Sequence, residues 1–426
     1  MTSSNHSHDK RSNQKKRVPC GARCSVILGI SMKRGGAVEK KFIVSFGGWY
    51  QRTTLHLSEI YDLLSAGTSK LPLDAKKLRD YQKKMWLTSV EKEPGFLEVV
   101  RATTKSGIEI RYYEDGLHVL ELATNDVKKA EAELKSYFDD QFSPGLSYSF
   151  SLGAPTPKVL ANLKTDHPAV VTMTTDKPAS EHVPKTFGVV YQKIQADDAV
   201  VFKTDSHIVI AVTPEDENFA RQLVDAQIFF REFKDQLGKY LSIHRTIWEE
   251  IDEMIERKNI GLKEARVLRA KLDRHRVTID LIGNRMNQMG TYVNTRHSVA
   301  SHAGLEPYLT TLFEYRFEVL LDTLEYIKEI WKMTRDYLQR AIDVTADVMN
   351  QGTNSTIKNL STITTFGVLV SLVKFTYEGS GISKVTYQSF LIFLAVLAFA
   401  WAVDRIAKFI ADHQKYQLKF KETEKF

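Results

Sequence analysis

The chain has 426 residues, is 43% hydrophobic and 26% charged, and carries a formal net charge of +7. This is the composition of a globular chain with room for two or three domains, and its two cysteines, Cys20 and Cys24, exclude a disulfide framework. The charge is local: residues 1–41 hold ten Lys/Arg against Asp9 and Glu39, a balance of +8, so the remainder sums to about −1 and lacks the basic face of a nucleic-acid-binding domain.

Residues 1–22 read as a basic, flexible cytoplasmic tail able to touch anionic lipid. They open Met-Thr-Ser-Ser without an apolar signal core, so secretion is not expected. The C-x3-C pair, with His6 and His8 upstream, matches the spacing of no closed zinc site. Residues 23–213 read as a cytoplasmic α/β domain. Short β-rich runs occur at 24–30, 41–46, 96–103, 108–113 and 117–122, with Glu114-Asp115-Gly116 as a hairpin turn between the last two. A helix is expected over 126–142, with Thr124 and Asn125 as cap candidates. The stretch 198–233 repeats the strand, turn, strand and helix grammar, with Thr213 as N-cap and Pro214 at the first helical position, as in a duplicated unit.

Residues 214–359 read as a helical stalk. A break is expected near Lys258–Ala265, and the acids Glu249, Asp252, Glu253 and Glu256 form a solvated face. From Pro307 to Tyr377 no proline interrupts the helical pattern, which predicts one helix about 110 Å long. Residues 360–403 read as a two-helix transmembrane hairpin, with spans at 360–377 and 385–403. Residues 404–426 form a basic tail. The positive-inside rule then places both termini in the cytoplasm of a multi-pass protein of the cell (inner) membrane. The expected fold class is therefore an α+β membrane protein.

A seven-residue stripe runs along the long helix. Asp343, Asn350, Ile357, Thr364 and Ser371 share one seam, with Asn354, Ser361, Val368 and Phe375 interleaved. A small, partly polar stripe is unfavourable in lipid, so it is expected to line a packed or wet axis between copies of the helix.

The stretch Asp343 to Tyr377, ending a very long helix, resembles the CorA family of divalent-cation channels. The resemblance implies a homopentamer, with Asp343, Thr353 and Asn354 along the axis, Ile357 and Leu360 as an apolar gate, and Ser361 leading into the first span. It also implies divalent cations such as Mg2+ as transported ions or bound cofactors. At the outer mouth, where family members carry Tyr-Gly-Met-Asn, this chain has Tyr377, Glu378, Gly379 and Ser380.

No P-loop, dinucleotide fingerprint, H-E-x-x-H or nucleophile elbow is present, and His297 and His302 lie off the spacing for shared ligation, so an enzyme is not expected. Two functions fit. One is a CorA-like oligomeric channel or transporter for cations; the other is a ligand-gated membrane effector whose cytoplasmic domain senses a small signalling molecule and opens an unselective pore.

Overall fold

The structure, a computed structural model, describes residues 42–50, 56–152, 169–174, 187–213, 217–257 and 259–378, and short pieces at 398, 401–402, 405–406, 409 and 415–417. The chain divides into Met1–Glu39, which lies outside these residues, and Lys40–Phe426. The zinc-spacing pair, the expected strand at 24–30 and the basic N-terminal tail therefore lie outside the described residues.

Nine strands form one mixed sheet: β1 (Phe42–Trp49), β2 (Leu87–Glu93), β3 (Val99–Thr104), β4 (Glu109–Tyr113), β5 (Leu117–Thr124), β6 (Val170–Thr174), β7 (Val190–Gln195), β8 (Ala199–Thr204) and β9 (Ile208–Val212). Their order is β2-β3-β4-β5-β1-β6-β9-β8-β7, antiparallel everywhere except between β6 and β9. Alternation along β5 sets the two faces. Leu120 and Leu122 join a core with α1 (Leu57–Ala66), α2 (Ala75–Lys84), α3 (Val127–Tyr137) and α4 (Ser143–Ser149), whereas Leu117 and Val119 face α5 (Glu217–Ile255). Between α3 and α4 the expected single helix widens into a π-type turn at Phe138–Phe142. Its N-cap is Asp126, whose carboxylate accepts from the Lys129 amide at 3.2 Å.

The two hairpin-and-helix units are not simple copies. The pairing senses make β5 and β9 run in the same direction, yet α3 and α5 cover opposite faces of the sheet. At Gly47 α5 comes close to the sheet: a Cβ there would lie 2.7 Å from the His118 carbonyl and 2.9 Å from Ile228.

Three long helices follow. Helix α5 has 39 residues and α6 (Leu262–His302) has 41; after the short α7 (Glu306–Phe313), α8 (Phe317–Glu378) has 62, or about 93 Å. Phe229, Phe233, Leu237, Tyr240 and Ile247 of α5 pack into one core with Leu320, Leu324, Ile327, Trp331 and Leu338 of α8, each burial contributing about 1.5–3 kcal/mol. The α5–α6 corner forms a three-residue strand, β10 (Asn259–Gly261), paired antiparallel with β11 (Lys415–Gln417). Tyr416 is buried there with Ile260, Leu262 and Val348.

Two expectations are corrected. The long helix starts at Phe317 and not at Pro307, because Glu314 takes a left-handed conformation (φ 57°) that ends α7. The two-helix transmembrane hairpin is not supported: among the described residues no helix is long and apolar enough to cross a membrane. The expected first span is the last part of α8, where Ser361, Thr362, Thr364, Thr365, Ser371 and Lys374 break up the apolar run a hydrocarbon core requires. The expected second span, 385–403, lies outside the described residues except at Ala398, Trp401 and Ala402.

His118 gives a measurable consequence of this packing. Its ring is stacked on Tyr50 and lies parallel to Phe138, and burial pushes its pKa down from 6.5 to about 4. Between those values the unfolded chain takes up a proton that the folded chain does not, so stability falls as pH drops through 6.5 towards 4. His118→Phe is expected to remove about 2–3 kcal/mol of the loss between pH 7.5 and 4.5, read from denaturant melts at both pH values; an identical loss in both proteins would contradict this.

Candidate functional site

Arg111 and Tyr113 of β4 and Glu121 of β5 occupy positions that alternate towards α5, so charge is carried into a core face. Arg111 is 2% exposed, donates to Glu121 Oε1 at 2.8 Å and to Asp225 of α5 at 2.7 Å, and forms an ion pair with the other Glu121 oxygen at 2.5 Å. Tyr113 donates its hydroxyl to the other oxygen of Asp225. Burial opposes the charge on Arg111, but Asp225 and Glu121 outweigh it and hold the guanidinium above its ordinary range. Burial and the Asp225 charge push the Tyr113 hydroxyl up, so it stays protonated as a donor.

A second pair lies beside the first. Arg296 of α6 forms a bidentate contact with Asp115 at 2.6 and 2.8 Å, and its guanidinium sits 4.5 Å from the centre of the Tyr113 ring. Asp115 is the middle residue of the expected hairpin turn. It is buried, and the Trp49 indole donates to its carbonyl at 2.8 Å. At the rim, Arg221 pairs with Glu109 at 3.0 Å, and Arg101 pairs with Glu93 at 2.7 Å. Arg101 and Arg111 stand directly opposite on β3 and β4, a like-charge arrangement tolerated because each has its own carboxylate partner.

These groups wall a cavity of about 450 Å³. Its floor is Val99, Arg101, Arg111 and Tyr113 from the sheet. Arg221, Asp225 and Phe229 come from α5, Arg296 and Val299 from α6, and Phe317 is the first residue of α8. At the mouth Phe96, 68% exposed, stacks on His302 with ring centroids 5.6 Å apart. None of these residues stood out as a site in the sequence. The signal was present as charged residues at inward strand positions in Ile110-Arg111-Tyr112-Tyr113 and Val119-Leu120-Glu121-Leu122, and as Asp225 inside an apolar helical run.

The residues expected along a shared axis all lie on α8. Asp343, Asn350, Asn354, Ile357, Ser361, Thr364, Val368 and Ser371 are exposed in the single chain. The side chains of Leu360, Tyr377 and Glu378 lie outside the described residues, as do Gly379 and Ser380 altogether. The stripe extends further back than the sequence reading took it. Val319, Asp322, Tyr326, Glu329, Met333 and Asp336 keep the same three-and-four spacing and are exposed, while Leu320, Leu324, Ile327, Trp331 and Leu338 on the opposite side are buried. Among the described residues no group of three His, Cys, Asp or Glu side chains could hold a metal ion.

No protein-family model, no curated protein and no solved structure matches this chain.

Proposed function

We propose that the chain is a ligand-responsive effector that assembles with copies of itself along α8 and reports occupancy of the cavity through that helix. The observation that carries this reading is the position of Phe317: the first residue of α8 is part of the cavity wall, and the same helix presents an exposed heptad stripe from Val319 to Ser371. A helix with one face buried in its own chain and a second apolar-and-polar face left open has the pattern of a seam that packs against a copy. The resemblance to CorA channels would make that assembly a pentamer. A ligand in the cavity touches the sheet, α5, α6 and α8 together, so its binding energy can favour one packing of these elements over another.

Filling the cavity tests the reading without knowing the ligand. Val299, half-buried on the cavity wall, is to be replaced by Trp in a chain carrying Asn354→Cys. The filled chain is expected to cross-link between copies at a rate several-fold different from that of the open one, by about 1 kcal/mol of coupling or more. Equal rates would remove the link between cavity and helix.

A second reading, passage of cations along the axis of the assembled helices, is favoured by Asp322, Glu329, Asp336 and Asp343, which recur every seven residues on the exposed stripe. Cation flux into vesicles reconstituted with the full chain tests it, and flux no greater than in protein-free vesicles would dismiss it.

A further inference from the structure

Four guanidiniums, those of Arg101, Arg111, Arg221 and Arg296, line one cavity whose mouth carries a stacked aromatic pair. The carboxylates that hold them are mostly set back. Asp115 and Glu121 are buried behind the wall, and Glu93 and Glu109 lie outside it, so Asp225 is the carboxylate among the lining residues. Both oxygens of Asp225 are already engaged, one by Arg111 and one by Tyr113. The charged part of the wall therefore offers more donors than acceptors, and the amides of Asn218 and Gln222 add both kinds. A guanidinium has five N–H groups, and Arg111 directs its known contacts to Glu121 and Asp225 while its Nε is buried with no acceptor. A buried donor without a partner is costly, and an acceptor-rich group in the cavity would satisfy it.

The rest of the wall combines the amides of Asn218 and Gln222 with aromatic and aliphatic side chains. Phe229 and Phe317 flank the arginines, and Phe96 lies on His302 at the entrance, two-thirds exposed and free of the core. A planar ring could replace Phe96 on His302 or stack beside it. The volume suits a single small ligand.

We infer that the cavity binds a nucleoside phosphate, with its phosphate oxygens on the donors of Arg111, Arg221 and Arg296 and its base stacked at the Phe96–His302 mouth. This rests on the reading of the cavity as the regulatory site. The carboxylates behind the arginines cancel their charge at a distance, so recognition acts at contact range through oriented donors. The affinity is accordingly expected to depend only weakly on salt.

Calorimetry on the purified full chain, titrated with AMP, adenosine and inorganic pyrophosphate, tests the assignment. AMP is expected to bind about tenfold or more tighter than adenosine, since adenosine leaves the arginine donors unused. Arg221→Ala is expected to weaken AMP by about tenfold or more. Phe96→Ala alters a side chain that is 68% exposed and outside the buried core. It is expected to weaken AMP by about tenfold and leave pyrophosphate unchanged. Equal affinities for adenosine and AMP, no binding of AMP at millimolar concentration, or AMP binding indifferent to both substitutions would overturn the inference. If AMP fails while Val299→Trp still changes cross-linking, the ligand class alone is wrong; if both fail, the regulatory reading falls with it.

Discussion

Asp225→Ala is expected to destabilise the chain by about 3–5 kcal/mol, because it leaves Arg111 buried with one carboxylate in place of two and strips the Tyr113 hydroxyl of its acceptor. The effect comes mainly from stranding the partners. Replacing Arg111 and Asp225 together, by Met and Leu, is therefore expected to cost less than the sum of the single changes. A control removes the exposed Glu109–Arg221 pair through Glu109→Ala, for which less than about 1 kcal/mol is expected. Denaturant melts of these proteins decide the matter. An Asp225→Ala loss no larger than that of Glu109→Ala would mean the buried cluster contributes no more than a surface pair.

Ile357→Lys is expected to shift the chain from an assembly towards single copies at micromolar concentration. Ile357 is 57% exposed on the stripe of α8, between Asn350 and Thr364. In an assembled seam this position is an apolar layer, and a ring of ammonium groups placed there without partners would cost several kcal/mol. Glu91→Lys, on the exposed edge strand β2, adds two units of positive charge away from the seam, against one for Ile357→Lys, and is expected to leave the mass unchanged. Sedimentation of the three proteins gives the answer, and an unaltered mass for Ile357→Lys would show that the stripe is not a contact.

How far the sequence discloses this molecule depends on the range of the interactions involved. The β4–β5 hairpin was legible because its signal is local: alternating residues on either side of Glu114-Asp115-Gly116 specify both strands and the turn. Edge strand β2, with the charged sequence Thr88-Ser89-Val90-Glu91-Lys92-Glu93, has no apolar alternation and gave no strand signal. The start of α8 was misplaced by ten residues because the left-handed residue that ends α7 is Glu314, where a glycine would have marked the stop. The transmembrane reading of 360–377 followed its Val and Leu residues and gave too little weight to the hydroxyls between them. The cavity could not be assembled from the sequence. Arg111 meets Asp225 across 114 residues and Arg296 meets Asp115 across 181, and only the sheet order and the crossing of α5 and α6 bring them together. By contrast the spacing from Asp343 to Ser371 could be read because a heptad pattern is local, though the same spacing over about five preceding turns, Val319 to Asp336, was missed where acids such as Asp322 and Glu329 looked like ordinary surface.

The central claim, that α8 packs against copies of itself and that the cavity controls the packing, is tested most directly by pulsed dipolar spectroscopy on the full chain spin-labelled at Asn354→Cys. The predicted result is a defined intermolecular distance that moves when Val299→Trp fills the cavity. The absence of any intermolecular coupling, or a distance identical with the cavity open and filled, would contradict it.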